Sequence, residues 1–558
     1  MAPPSRRELA AWAACAVALA VALYVGVPPI SRDQSHVGRM WLAVAGAASA
    51  VAVAAAGLRA SVGGLRLVRG GMVALCVVGW FNYYQFDRRV FAGIDDYTDI
   101  TYYYLNSKYL DELGFYGFYA AMIVADQETN DRHTHTLRQY RDLRDDQVKP
   151  IAVALAHGKE LEATRFTPEG WRAFQQDNDW FLARISNEAM RTNFYVDHGY
   201  NPPPTWSILG GIIAEAVPVT HLKAIAAIDG VLVLALFGSV YWAFGFEAML
   251  LAMLFFLSTF SGRWPVLGQA LLRFDWLAAL VGGMACLRRG RFGWAGGLLA
   301  YAALNRVFPA IFLGAWLWTL IGDLWRTRRV AARHLRFAGA ALAVVVVLTG
   351  GALARYGVEN FRESASNLAM HNRSFSSHRV GLGGLLVYRG ETTRAEINAN
   401  GGMALREQAV QAWIPTLRGI GVALIALVAA AAIRSRRDAW ETLPWLILPF
   451  FALTNPQVNY YNLRLVAVVW HAAHLAVPND PSPAGDRWFH RVALVLLFGV
   501  DVAAQWTKVQ GWDRHATNSV GSIGMAVYLT AVLAWVVAEA VRGWRPAARV
   551  HRLGLEAP

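Results

Sequence analysis

Charge is the first thing this chain is short of. Asp, Glu, Lys and Arg make up 16% of its 558 residues, against about 25% for a soluble domain. Cysteine is scarce as well. Cys15, Cys76 and Cys286 all lie inside apolar runs, which leaves no disulfide framework and no thiolate metal motif. There is no P-loop, no Gly-x-Gly-x-x-Gly fingerprint and no nucleophile elbow, so nucleotide-binding and serine-hydrolase readings have no residues to rest on.

Hydrocarbon takes the place of the missing charge. Ala, Val, Ile, Leu, Met, Phe, Trp, Tyr and Cys account for 56% of the chain. They gather in many runs of about 17–22 residues, the length that crosses roughly 30 Å of bilayer core. Backbone groups in lipid must be bonded within their own segment, so these runs predict helices and an all-α polytopic membrane protein. The first run, 9–29, follows Arg6 and Arg7 in the manner of a signal peptide. No small-residue cleavage site follows it, and it is read as a retained span.

The net charge of +13 is concentrated in short loops: Arg59, Arg66 and Arg69; "RRGR" at 288–291; "RTRRVAARHLR" at 326–336; "RSRR" at 434–437; and Arg542 to Arg552. That is the positive-inside pattern, which points to a membrane surface and away from nucleic acid. Residues 95–200 carry 18 acids against 11 Lys and Arg and so belong on the opposite, outer side.

Charge and parity together predict about fourteen crossings with both ends on the basic side. An extra hairpin (1–60) precedes a core at 61–356, which includes an external segment at 87–204. An external loop at 357–414 and a C-terminal set of spans at 415–558 follow. The stretch 125–195 is polar and low in proline, and is expected to be helical. The run 247–260 is too short to span comfortably and is expected to be re-entrant or interfacial.

This topology brings unusual polar residues to one outer face. "GIDDYTDITYYY" supplies Asp95, Asp96, Asp99 and Tyr103, and "YNPPPTW" supplies Tyr200 and Asn201. Gln269, Arg273 and Arg306 lie at span ends. "HNRSFSSHR" contributes His371, Asn372 and Ser374, and "NPQVNYYNLR" contributes Asn459, Tyr460 and Arg464. Clustered carboxylates raise one another's pKa, which suits a general base, although aspartates also cap first helical turns. The tyrosines fit an interfacial belt or a sugar-stacking wall, the belt being the commoner use. The prolines of "YNPPP" read first as rigid punctuation before a span. Arg and Asn in the outer loops can hold a phosphate, and for each alone a solvated loop is the default. Arg306, between two apolar runs, calls for an acid or an anionic ligand nearby.

In this order the motifs form a recognisable series: "DITYY", then "YNPPP", "GQ" at 268–269, "RRGR", "NRVFP", "NRS" at 372–374, and "NPQVNYY". Over about residues 70–478 the chain resembles the GT-C polytopic glycosyltransferases, and among them glycosyltransferase family 87, the mannosyltransferase-like proteins. The resemblance implies a GT-C-like bundle that moves a sugar from a polyprenyl-phosphate donor to a glycan or lipid acceptor hydroxyl. The base would fall on Asp99 with Asp96 in reserve, and the remaining residues named above would bind substrate. No cofactor is required, though a divalent metal on Asp95, Asp96 and Asp99 is compatible with the cluster. The chain departs from the family in its extra hairpin, in Arg306 standing where Lys is common, and in lacking the Gln-x-x-Asn pattern after "GQ". The excess of Arg over Lys fits a GC-rich bacterial source, hence a bacterial inner membrane with the site facing outward. The alternatives are a transporter or flippase of lipid-linked saccharides, for which Asp229 within 224–243 is the one mid-membrane candidate, and an inert assembly subunit.

Overall fold

In the computed structural model, residues 4–59, 62–87, 94, 97–185, 193–262, 270–475 and 484–542 are described. Of the described residues, 81% are helical. Among the described residues, nine helices are long and apolar enough to cross a membrane: Arg6–Gly26, Arg32–Ala56, Gly63–Tyr83, Val219–Phe244, Phe308–Thr327, Ala332–Arg373, Gly402–Ser435, Asp486–Val509 and Arg514–Arg542. At 1.5 Å per residue, the 21 residues of Arg6–Gly26 reach about 31 Å, enough for the hydrocarbon core. The protein is a helical, multi-pass membrane protein.

Between these lie shorter helices. Phe246–Ser258 has 13 residues, about 20 Å, and all but Met249 and Met253 are buried. It packs against Arg32–Arg59, Val62–Tyr83, Leu222–Phe244 and Leu465–Leu475, with Glu247 paired to the buried Arg69. Of the two placements expected for this run, re-entrant or interfacial, the interfacial one is corrected: the helix is buried inside the bundle. Apart from the paired Glu247 and the terminal Ser258 its composition is apolar on every side, as an all-round buried helix needs.

The outer segment has a core of its own. Helices Tyr97–Lys108, Phe118–Glu128, Ile151–Arg165 and Pro168–Leu182 enclose Tyr102, Tyr104, Phe118, Tyr119, Phe174 and Phe181. Most of the tyrosines after Asp99 are thus core residues, which overturns the belt reading. The expected all-helical stretch also contains an antiparallel hairpin, Gln139–Asp142 with Gln147–Pro150. Its turn is fixed locally: Arg141 Nη1 donates to the Asp146 carbonyl at 2.6 Å, and Asp146 takes φ 60°. Burial alone would raise the Asp142 carboxyl, but hydrogen bonds from Arg144 and Lys149 hold it well below the usual carboxylate range.

Residues 357–414, read as loop, are mostly helical. Ala332–Arg373 runs 42 residues with one break at Gly357 (φ 70°), and short helices Leu382–Val387 and Arg394–Ala399 precede Gly402–Ser435. Beyond Gly357 the long helix docks on the outer segment, where Glu363 accepts from Phe115 N at 3.0 Å and Asn367 donates to the Tyr200 carbonyl at 2.9 Å. Near its start, a Cβ on Gly296 of Phe292–Arg306 would meet the Phe337 carbonyl at 2.1 Å. Only glycine allows that approach of two helix backbones.

Candidate active site

Asp99 lies in the first turn of Tyr97–Lys108, where the helix dipole favours a carboxylate. Tyr103, one turn on, shares its face. Among the described residues Asp99 pairs with Arg273, whose Nε stands 3.2 Å from Asp99 Oδ2. The same guanidinium lies 4.3 Å from the Tyr103 ring centre, a cation–π contact.

Arg273 is held from behind. Asp229, in the middle of Leu222–Phe244, accepts from the backbone N–H groups of Arg273 (2.7 Å) and Phe274 (2.9 Å). In effect it caps helix Asp275–Arg288 from a neighbouring helix. Asp275 in turn accepts from Tyr301 (3.0 Å) and Asn305 (2.9 Å), partners distant in sequence, rather than from Arg273 two residues before it.

Arg306 closes the group. It ends helix Phe292–Arg306, which stops because Val307 takes φ 56°, a costly conformation for a β-branched residue, and Pro309 follows. Its guanidinium lies 5.6 Å from the ring centres of both Tyr103 and Trp206. Only 8% of Arg306 is exposed. Nη1 donates to the Asn305 carbonyl at 3.1 Å, while Nε and Nη2 have no hydrogen-bond partner. Among the described residues no carboxylate stands within ion-pair distance of it. A cation so placed is matched in charge and donor geometry to an anion with several oxygens.

The "YNPPP" entry forms the wall. Pro203 and Pro204 start helix Pro204–Ala216, as prolines at a first turn do, and set Trp206 edge-on to Tyr103 at 5.3 Å. Tyr200 packs 6.2 Å from Tyr103 and shares a 2.7 Å hydrogen bond with Ser207, while Asn201 is exposed.

The two late loops join through Arg379, the last residue of "HNRSFSSHR". Arg379 donates to the His371 carbonyl (2.8 Å), Ser374 Oγ (3.0 Å) and the Asn455 carbonyl (2.9 Å). Val380 and Val458 extend the pairing between the loops. The His371 ring faces His198 at 5.3 Å, and His198 bonds Asp146 at 2.7 Å. Burial alone would raise the Asp146 carboxyl, but His198 carries it below its ordinary range. Tyr460 connects the two regions, packing 5.2 Å from Phe308 and 5.9 Å from Trp276, the neighbour of Asp275. Asn459 is half-buried, and Asn372 is exposed at the end of the long helix.

Arg464 stands apart and is corrected. Fully buried, it pairs with Asp501 at 2.9 Å and donates to Thr259 at 2.6 Å, so its charge is spent on holding helices together. Asp95, Asp96 and Gln269 lie outside the described residues. Among the described residues no three His, Cys, Asp or Glu side chains are grouped to hold a metal. The candidate-site residues beyond those expected are Trp206, Asp275, Tyr301, Asn305 and Arg379, while Asp229, expected only for a transporter, is found behind Arg273. A polar residue inside an apolar run was the available signal for Asp229 and Asp275.

No family model, no curated protein and no solved structure matches the chain.

Proposed function

We propose that the protein is an inverting membrane glycosyltransferase of the GT-C kind, with about fourteen crossings, moving a sugar from a polyprenyl-phosphate carrier to an acceptor hydroxyl. The observation that carries the reading is Arg306, buried with two unmatched donor nitrogens, one aromatic ring away from the Asp99–Arg273 pair. The acceptor oxygen attacks the anomeric carbon, and the bond from that carbon to the phosphate oxygen breaks. The electron pair leaves with the carrier phosphate, and the hydroxyl proton passes to Asp99. Arg306 and Arg273 stabilise the charge that develops on the phosphate, and the buried rings of Tyr103 and Trp206 position the two guanidinium groups. Loop charge favours a bacterial inner membrane with Asp99 on the outer side.

Asp229, the residue that would best support a transporter, is already engaged by two backbone donors. The test is incubation of the purified full-length protein with a panel of polyprenyl-phosphate sugars and candidate glycan or lipid acceptors, with detection of released carrier phosphate. Release is expected from the wild type, and Asp99→Asn is expected to lower it by about 10²–10⁴ with the protein still folded. Translocation of a fluorescent lipid-linked sugar without release would favour the flippase reading. Undiminished transfer in Asp99→Asn would remove Asp99 as the base.

A further inference from the structure

At the opposite end of the helix that carries Arg306, a cleft of about 660 Å³ opens between Phe292–Arg306 and Ala332–Arg373. It exists because small residues face one another: Gly293 and Gly297 on one helix, Ala340 and Ala343 on the other. Its volume falls in the range of about 300–1,000 Å³ typical of small-molecule sites. The walls are apolar, and the mouth carries two cations, Arg291 and Arg336. Both are exposed, and neither belongs to an ion pair among the described residues. Their neighbours are occupied: Arg326 and Arg333 pair with Asp323, and Arg288 and Arg289 lie over Trp440 and Trp242. Trp294, 73% exposed beside the mouth, has the character of an interfacial anchor.

We propose that this cleft binds one anionic phospholipid, its headgroup phosphate between Arg291 and Arg336 and an acyl chain along the Gly297–Ala343 wall. Charge complementarity selects the occupant, since two unpaired guanidinium groups above a hydrocarbon slot match a negative headgroup on an apolar tail. The site is separate from the candidate active site. Arg291 and Arg306 are the two ends of one helix, about 22 Å apart at 1.5 Å per residue. The two regions meet at Tyr301, which lines the cleft and donates to Asp275. The inference does not depend on the proposed transferase activity.

Native mass spectrometry of the full-length protein, released from nanodiscs of equimolar phosphatidylcholine and phosphatidylglycerol, tests it. Wild type is expected to retain one phosphatidylglycerol. The double variant Arg291→Gln, Arg336→Gln is expected to lose at least about tenfold of that retention, because two charge-assisted contacts are removed. Gly297→Leu should block retention independently by filling the slot. A Cβ there meets only Val344 at 3.7 Å, so its thermal unfolding should stay close to wild type. Equal retention of the two lipids, retention unchanged in both variants, or displacement by equimolar polyprenyl phosphate would overturn the proposal.

Discussion

Burying Arg306 with two unmatched donor nitrogens destabilises the unliganded protein, by about 1–3 kcal/mol for each unsatisfied group. Arg306→Met should therefore raise the thermal midpoint while lowering transfer by about 10²–10³, the usual effect of removing a charge-stabilising donor. Differential scanning fluorimetry and the carrier-release assay, run on the same preparation, would show the opposed changes. A midpoint that falls instead would mean Arg306 serves the fold. The residue type and the apolar setting of Arg306 were visible in the sequence, as were Asp99, Tyr103 and Arg273, and packing brings these four together. Their pairing was not visible. Asp275, two residues from Arg273, bonds Tyr301 and Asn305, because partners in a helical bundle are set by which faces meet. Arg464 shows the same limit from the other side: nothing local to "NPQVNYYNLR" reveals that Asp501 waits 37 residues away.

At the scale of elements, glycines separate contact from slack. Gly296 stands against the Phe337 carbonyl, whereas a Cβ on Gly350 of the same partner helix would meet nothing within 4 Å. Gly296→Ala should force two helices apart and lower the thermal midpoint. Gly350→Ala should be neutral or stabilising by up to about 1 kcal/mol through helix propensity. A comparison of the two unfolding curves decides it, and equal effects would show that the close approach is not what joins these helices. Run length and polarity made the long helices legible. The hairpin at 139–150 was not, since its strands are four residues each and their order comes from the Asp146 turn and the buried Asp142. The 13-residue Phe246–Ser258 was visible as too short to span, but a helix apolar on every side does not state whether lipid or protein surrounds it.

For the whole molecule, two large cores divide the stability, beside a small cluster of Phe375, Val387 and Val410 among the described residues. One lies in the helical bundle and the other in the outer segment, whose hairpin depends on Asp142 remaining ionised between Arg144 and Lys149. A carboxyl depressed in the folded state contributes stability that is full above its unfolded value and is lost as pH falls through the folded one. The thermal advantage of wild type over Asp142→Asn should be present at neutral pH and should shrink below the ordinary carboxylate value of 3.8. An advantage independent of pH would assign the effect to packing. The two cores are bridged by Ala332–Arg373, which starts beside the Arg336 cleft and carries His371 in its last turn. Gly357 interrupts it at φ 70°, with nothing within 4 Å of where a Cβ would stand. The bend is set by backbone alone: any side chain placed at Gly357 would have room but would have to bear the positive φ, so a substitution at this joint would be costly without a single new clash.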